Sequence, residues 1–290
     1  MQIVTDSGTD LNLSPDERAA LNIHIVPLVV TLDNMSYQED VDIDADTFYR
    51  LLAETDSLPS TSQPSAGTFA DLYRTLATSD PDILSIHISS GLSGTVNSAQ
   101  TAASMVPEAR VTVIDAKTLS AASGWQVEAA ARAAQAGWPL GRIRSLVAGI
   151  SDASDSLYTL KELKYLIHGG RISHMKGLLA SLLNIKPIIG VEKEGGTYEQ
   201  RGQARAFGGA VKGLVTLMTR QYAPGTALRA QVLHSNDPDA GQMLRDQVDQ
   251  TFDCDWLPLK PMSLVLGAHT GPGMVGVAYA PQEAFGDVPQ

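Results

Sequence analysis

The sequence predicts an α/β protein with two domains, a mostly parallel α/β sheet followed by an α+β sandwich. Its 290 residues, 43% of them apolar and 18% charged, suffice for two such units with a sizeable core. The first half alternates short β-branched runs with helical periodicity, as βαβ units do, whereas the second half mixes hairpin and crossover patterns. Small polar residues occupy positions 151–156, between the halves. We therefore expect domains over residues 1–153 and 154–290.

In the first half, apolar β-branched runs predict strands, and apolar residues at helical spacing predict helices. The predicted strands cover residues 2–5, 23–31, 83–88 and 111–114. The predicted helices cover residues 46–54, 67–76, 94–104, 125–136 and 139–149, the last with a proline in its first turn. Short, continuously apolar strands between helices are typical of a parallel sheet covered by helices.

In the second half, the patterns predict a more varied set of connections. Strands are predicted over residues 157–160, 228–234, 256–259 and 275–279, and helices over 161–168, 176–183, 207–222 and 238–250. Runs at 185–192 and 197–201 flank a short glycine-containing segment and predict a β-hairpin. This mixture favours an α+β sandwich over a second parallel unit.

Composition excludes several classes of function. The formal net charge of −11 argues against nucleic acid as a main partner, because phosphate contacts need clustered cations. A single cysteine, Cys254, allows no internal disulfide and no cysteine-rich metal site. The start has no signal-peptide pattern, and no apolar run is long enough for a membrane span. We therefore expect a cytoplasmic protein with no integral membrane segment and no metal.

Three short stretches are rich in hydroxyl and glycine residues and carry no formally charged side chain. They are Pro59-Ser60-Thr61-Ser62-Gln63-Pro64-Ser65, Ser89-Ser90-Gly91-Leu92-Ser93-Gly94-Thr95 and His269-Thr270-Gly271-Pro272-Gly273. Each lies at a predicted element boundary, where free N–H groups and hydroxyls suit a small anionic group without a metal. Helix capping explains the same residues equally well, with Ser65 capping one helix and Ser93 or Thr95 another. The residues alone leave both interpretations open.

An enzyme is the alternative interpretation of these stretches. Ser93 and His269 are the residue types of a small-molecule serine hydrolase or a phosphotransferase. However, Thr95 stands where a nucleophile elbow needs glycine, and the same loop lacks the lysine of a P-loop. Asp6 and Asp10 have no third metal ligand nearby, so they are weak evidence for a metal site. A protein-interaction module is a third interpretation, although such a role does not require these loops.

Several motifs follow one another along nearly the whole chain. Besides the three uncharged stretches, they are Thr5-Asp6-Ser7 with Asp10-Leu11, Val113-Ile114-Asp115, Leu163 onward to Gly169-Gly170-Arg171-Ile172-Ser173, and Leu183-Asn184-Ile185-Lys186-Pro187-Ile188. Because these motifs occur in this order, the chain resembles the DegV family of fatty-acid-binding proteins. The resemblance covers a single unit over about residues 1–285. The chain departs from the family pattern at Val96, where members often have tyrosine, and at Ala116, where they have serine.

The resemblance implies that one long-chain fatty acid, such as palmitate or oleate, lies in a buried tunnel between two α/β domains. Carried over residue by residue, it implies that the ligand carboxylate is bound by Thr61, Ser93, Gly94 and His269. It places three further residues in supporting loops, namely Ser62, Ser90 and Thr270. No cofactor is implied.

The resemblance also implies a role in lipid transport or fatty acid metabolism. Family members serve as the acyl-carrying subunit of bacterial fatty acid kinase, without catalytic activity of their own. They present the carboxylate to an ATP-dependent kinase subunit and carry the acyl phosphate, which feeds phospholipid synthesis. Arg171 and Arg205 match basic positions that contact the partner or the phosphate, and we expect Arg171 on an exposed loop.

The free energies of burying the two ends of a fatty acid favour a carrier. A C16 chain removed from water contributes up to roughly 12 kcal/mol, at about 0.8 kcal/mol per CH₂ group. A buried carboxylate is costly, and donors contributing about 1.5–3 kcal/mol each offset much of that cost. We therefore expect an uncharged donor set that holds the carboxylate and leaves it exchangeable.

Overall fold

A computed structural model describes residues 1–39, 41–172 and 185–290, and its architecture is the expected mixture of α and β. Its strands are β1 Gln2–Asp6, β2 Ile23–Val26, β3 Val29–Leu32, β4 Met35–Gln38, β5 Ser60–Ser62, β6 Asp82–His87, β7 Arg110–Asp115, β8 Asp155–Thr159, β9 Lys186–Val191, β10 Tyr198–Ala204, β11 Ala227–His234, β12 Asp253–Trp256, β13 Lys260–Pro261 and β14 Val275–Pro281. Its α-helices are α1 Pro15–Ala20, α2 Ala45–Glu54, α3 Ala66–Ala77, α4 Thr95–Met105, α5 Ser120–Gln135, α6 Leu140–Ala153, α7 Lys164–His168, α8 Phe207–Gln221, α9 Pro238–Asp249 and α10 Leu264–Thr270. The helix predicted over 176–183 lies outside the described residues.

The N-terminal half contains the predicted parallel sheet. Its strand order is β2-β1-β6-β7, and every neighbouring pair is parallel. Successive side chains of a strand point to opposite faces, so Ile3 packs with Leu84 and Ile86 against α5 and α6, whereas Val4 packs with Ile83 against α3 and α4. Burial on both faces explains why these strands are continuously apolar.

The single strand predicted over 23–31 is wrong, because the structure divides it into β2 and β3. Pro27 lies between the two strands and has no N–H to donate to a ladder, while the Leu28 N–H donates to Ser7 Oγ at 3.1 Å. β3 leaves the parallel sheet and forms a small antiparallel sheet of order β4-β3-β5. β5 escaped sequence prediction because it is three hydroxyl residues long and has no apolar alternation.

The C-terminal half forms a mixed sheet of order β10-β9-β8-β14-β11-β12, with β13 also beside β11. β9 and β10 are the predicted antiparallel hairpin, and α8 and α9 pack on one face of this sheet. The strand predicted over 256–259 is wrong, because β12 ends at Trp256 and β13 begins at Lys260. Pro258 between them cannot donate to a ladder. The polar stretch at 151–156 is the end of α6 and the start of β8.

The largest mixed core lies where the two halves of the chain meet. Leu28, Ile88 and Leu119 from the N-terminal half pack there with residues of the second sheet and of α10, among them Tyr158 and Leu266. The free face of the second sheet is thereby buried against the first unit. The candidate site lies at the polar edge of this apolar cluster.

Candidate functional site

Residues from all three uncharged stretches line one small cavity. Thr61, Ser93 and His269 all contribute to its wall, although they are far apart in sequence. The cavity has a volume of about 30 Å³, which is room for a water molecule. The tertiary structure therefore brings together the three side chains that the resemblance assigned to a carboxylate.

Thr61 and His269 are in direct contact. Thr61 Oγ1 lies 2.8 Å from His269 Nε2, so a hydrogen bond joins β5 to the last turn of α10. His269 and Thr270 are the last two residues of α10, so this stretch lies at the end of a helix. The loop begins only at Gly271, whose φ of 73° ends the helix in the left-handed region that favours glycine.

Burial sets the charge of the His269 ring. The side chain is 8% exposed, and burial, followed by the nearby charges of Arg171 and His168, lowers its pKa to about 4. His269 is therefore neutral at physiological pH. Its Nδ1 is buried and has no hydrogen-bond partner among the described residues. A Cβ on Gly169 would lie 2.0 Å from that nitrogen, so only glycine lets the backbone approach the ring this closely.

The Ser93 loop connects β6 to α4. Ser89 is fully buried and shapes the turn, because its carbonyl accepts from the Leu92 N–H at 3.1 Å and from the Ser93 N–H at 3.0 Å. Ser93 Oγ accepts from the Thr95 N–H at 3.3 Å and lies 2.8 Å from Thr95 Oγ1. The N-cap of α4 is Gly94, and no side chain caps this helix, so the prediction that Ser93 or Thr95 is the cap is wrong. Ser93 lies one position before the cap, and its side chain lines the cavity.

Arg171 brings a positive charge to the cavity, which the sequence prediction of an uncharged site did not include. Its side chain lines the cavity and is half-buried, so the expectation of an exposed loop is wrong. Nε donates to the Leu92 carbonyl at 3.1 Å, and Nη1 donates to the Gly169 carbonyl at 2.5 Å. These bonds tie the turn after α7 to the Ser93 loop. The resemblance implies only a contact of Arg171 with the partner or the phosphate, because no local sequence pattern shows that its side chain faces the cavity.

The remaining predicted residues are not all brought together. Ser62 lines the cavity, and Gly94 packs against Gln63, whose Nε2 would lie 2.8 Å from an added Cβ. Ser90 is instead bonded to Asp115, with its N–H 3.1 Å from Oδ1. Thr270 does not line the cavity either, because it is buried and donates to the Leu266 carbonyl at 3.1 Å. Arg205 is exposed in the bend after β10 and also lies outside the cavity.

The other side of the cavity is apolar and continues into the mixed core. Its apolar lining consists of Leu28, Ile88, Leu92, Leu119, Tyr198, Val265 and Leu266. Sequence reasoning did not identify this lining residue by residue, because core packing and ligand contact require the same side chains. The one local signal was Leu92, an apolar residue inside a polar loop.

The geometry does not assemble a hydrolase triad. His269 pairs with Thr61 and Ser93 pairs with Thr95, so no hydrogen bond joins Ser93 to His269. No carboxylate accepts from His269 Nδ1 within the described part of the chain. The residues that the structure describes also contain no cluster of three or more histidine, cysteine or acidic side chains fit for a metal ion. None of the helices described there has the length and apolarity to cross a membrane.

Asp6 is part of a buried network beside the Ser93 loop. Its carboxylate accepts from the Gly8 N–H at 3.0 Å, from His87 Nδ1 at 2.9 Å and from the Ile88 N–H at 3.1 Å. A carboxylate only accepts, so His87 Nδ1 carries a proton, and His87 Nε2 lies 2.7 Å from Ser85 Oγ. These bonds align the ends of β1 and β6, from which the loop emerges.

Comparison with known proteins identifies relatives over nearly the full length. The model of the DegV family, described as an uncharacterised protein family, matches residues 1–282. A DegV domain-containing protein of Deinococcus radiodurans is 34% identical over 280 residues, covering 96% of this chain and 95% of the relative.

Two solved structures agree with the fold over the same length. A DegV family protein from Thermus thermophilus, described as fatty acid binding, superposes with a TM-score of 0.86 at 32% identity, covering 97% of this chain and 99% of that one. DegV from Bacillus subtilis, described as a fatty acid binding protein, gives a TM-score of 0.86 at 27% identity with the same coverage. The similarity thus extends over both sheets and the loops between them.

Proposed function

The chain belongs to the DegV family, and we propose that it binds one long-chain fatty acid, such as palmitate or oleate. The observation that carries the proposal is the convergence of Thr61, Ser93 and His269 on one cavity whose opposite wall is apolar. A polar end and an apolar end in one cavity match the two ends of a fatty acid. The description of the Thermus thermophilus and Bacillus subtilis relatives as fatty acid binding supports the same ligand.

The carboxylate is held by neutral donors and one cation. The hydroxyls of Thr61 and Ser93 donate to it, and the Gly94 N–H at the start of α4 adds a backbone donor. Arg171 supplies the only positive charge on the described cavity wall. A half-buried guanidinium compensates the anion more than hydroxyls do, because hydrogen bonds between charged groups are stronger. His269 stays neutral and orients Thr61.

The acyl chain drives binding and must widen the cavity. A volume of about 30 Å³ is far less than a long chain needs, so the chain enters only if the mixed core opens along Leu28, Leu119 and Leu266. Each buried CH₂ then contributes about 0.8 kcal/mol, and ordering the chain and separating the packed side chains oppose it. Ligand binding is thereby coupled to the packing between the two sheets.

We propose further that the protein acts as a carrier without catalytic activity, which presents the carboxylate to an ATP-dependent kinase subunit for acyl-phosphate formation. The absence of a Ser93–His269 hydrogen bond favours a carrier over a hydrolase. Three uncharged stretches without a fixed acid or base suit a ligand that is held and then transferred. The setting is fatty acid metabolism in the cytoplasm.

Native mass spectrometry of the purified protein tests the ligand directly. We expect an added mass equal to one long-chain fatty acid, either carried through purification or taken up from added palmitate or oleate. One equivalent is expected because one polar cavity meets the apolar core. A spectrum without added mass, both as purified and after incubation with palmitate and oleate, would contradict the proposal.

A variant of Arg171 tests whether the protein presents the carboxylate to the kinase subunit. We expect Arg171→Ala to lower the rate at which a cognate kinase subunit phosphorylates bound fatty acid by about tenfold or more, because a charge-assisted contact contributes about 1.5–3 kcal/mol. Arg220→Ala is the matched comparison, since Arg220 of α8 is exposed, lies outside the cavity and has no predicted role in partner contact. Phosphorylation at the wild-type rate with Arg171→Ala would remove this residue from the proposed role.

A further inference from the structure

Helix α10 forms one wall of the candidate site and is fixed at both ends by the N-terminal half of the chain. Its residues Val265 and Leu266 line the cavity, and His269 follows one turn later. The C-terminal end is fixed by the 2.8 Å contact between His269 Nε2 and Thr61 Oγ1. A shift of α10 would therefore move the apolar wall and the His269 ring together.

The N-terminal end of α10 is fixed by two buried carboxylates. Asp10 Oδ1 accepts from the Ser263 N–H at 2.6 Å. Glu39 Oε2 accepts from Ser263 Oγ at 2.7 Å, and Glu39 Oε1 accepts from the Leu264 N–H. Asp10 is also bonded through Oδ2 to Ser120 at the start of α5. Two acidic side chains from the N-terminal half thus meet on one residue of the C-terminal half.

The environment of Glu39 brings the pKa of its carboxyl close to neutral pH. Its side chain is 5% exposed, and burial, together with the nearby charge of Asp10, raises its pKa to about 7 against the effect of its hydrogen bonds. The carboxyl groups of Asp10 and Glu39 both face Ser263, so two negative charges lie close together beside Ser263 whenever Glu39 is ionised. Protonation of Glu39 relieves that repulsion.

A cleft of about 410 Å³ connects Glu39 with solvent, so protons reach it. The charged groups that share this cleft are Asp6, Asp10, Arg18 and Lys260, and Tyr49 of α2 faces Glu39 from the core side. Lys260 donates to the carbonyls of Asp10 and Leu11, at 3.4 and 3.3 Å. Arg18 forms no ion pair with any described residue, so neither cation neutralises Glu39 by direct contact.

We propose that Asp10 and Glu39 are positioning residues for the fatty acid carboxylate, which act through α10, and that a proton on Glu39 makes ligand retention depend on pH. This inference rests on the proposed function and adds its regulation. With Glu39 protonated, α10 is held and His269 stays against Thr61. With Glu39 ionised beside Asp10, the two carboxylates repel each other and move apart, which disturbs their shared contacts with Ser263 and Leu264 at the start of α10, and the ligand is released faster.

The test is the rate at which bound oleate leaves for excess albumin, measured from about pH 6 to about pH 8.5, a range in which His269 stays neutral. The wild-type rate is expected to rise about fivefold or more across this range, as a coupling of ordinary size would produce. Glu39→Gln keeps the side-chain shape and cannot ionise, so its rate is expected to stay low throughout. The matched control is Glu54→Gln on the exposed end of α2, which is expected to retain the wild-type profile.

A second variant and a second measurement keep the proposal testable if Glu39→Gln fails to fold. Asp10→Asn keeps the oxygen that accepts from Ser263 and suits the φ of 46° at this position. Removing the charge of Asp10 is expected to move the pH transition to lower pH. Without ligand, the ring nitrogen NMR signals of His269 are expected to shift between about pH 6 and about pH 8.5 in the wild type but not in Glu39→Gln.

The outcomes separate this inference from the proposed function. A release profile of Glu39→Gln that rises with pH as the wild type does, or a flat wild-type profile, would overturn the role of Glu39. An unmoved transition in Asp10→Asn would overturn the role of Asp10. If the wild type captures no oleate at any pH while the His269 signals still follow Glu39, the proposed ligand is wrong, and with it the stated role in ligand retention.

Discussion

Replacing Thr61 and Ser93 together by alanine is expected to weaken fatty acid binding by about tenfold or more. Each hydroxyl donates to the carboxylate in the proposed complex, and a hydrogen bond to a charged group contributes about 1.5–3 kcal/mol. Water replaces part of what is lost, so the effect is smaller than the sum of two bonds. Titration of the variant with oleate, followed by intrinsic fluorescence or native mass spectrometry, measures the change.

The control for this pair is Ser60→Ala. Ser60 lies next to Thr61 on β5 but is exposed and does not line the cavity. We expect it to bind oleate as the wild type does and to melt at a similar temperature. If the Thr61 and Ser93 double variant keeps wild-type affinity with an intact fold, the carboxylate is bound elsewhere.

Removing the carboxylate of Asp6 is expected to cause the largest loss of stability. Asp6→Ala leaves the His87 ring and the N–H groups of Gly8 and Ile88 without their acceptor in a fully buried place. Breaking a buried pair in this way costs about 3–5 kcal/mol. Thermal unfolding is expected to show a melting temperature lower by roughly 10 °C. Oleate binding weakens as well, because the Ser93 loop begins at Ile88.

The control here is Asp56→Ala, which removes an exposed carboxylate in a bend after α2. Asp56 forms no ion pair with a described residue. We therefore expect the free energy of unfolding of Asp56→Ala to differ from that of the wild type by less than about 0.5 kcal/mol. Equal melting temperatures for Asp6→Ala and the wild type would show that the buried network contributes little.

Local patterns were sufficient for most of the secondary structure. The parallel strands of the first sheet are continuously apolar because both of their faces are covered, and that pattern is visible in the chain. The hairpin of β9 and β10 was visible because glycines separate two β-rich runs. Prediction failed where a short element lacked an apolar pattern, as in β5, or where an apolar run crossed a proline, as at Pro27.

For the candidate site, too, local sequence patterns predicted some features and not others. The hydroxyl-rich stretches and their order along the chain indicated the family, and the whole-chain match confirms that family. The roles of Thr61, Ser93 and His269 stay predictions until the variants are measured. Arg171 shows what a local motif omits, because its charge faces the cavity only after α7 and the Ser93 loop have packed together.

Composition and periodicity alone therefore predict the α/β class and the main strands and helices, because each depends on residues near one another in the chain. The family was indicated by the resemblance of the ordered motifs and is shown by the whole-chain match. Tertiary structure alone decides that Thr61 meets His269, that Arg171 lies at the cavity, and that Asp10 and Glu39 meet at the start of α10. Those contacts join residues more than 70 positions apart. Their geometry and their pKa values arise from burial between two sheets, and no local pattern contains that information.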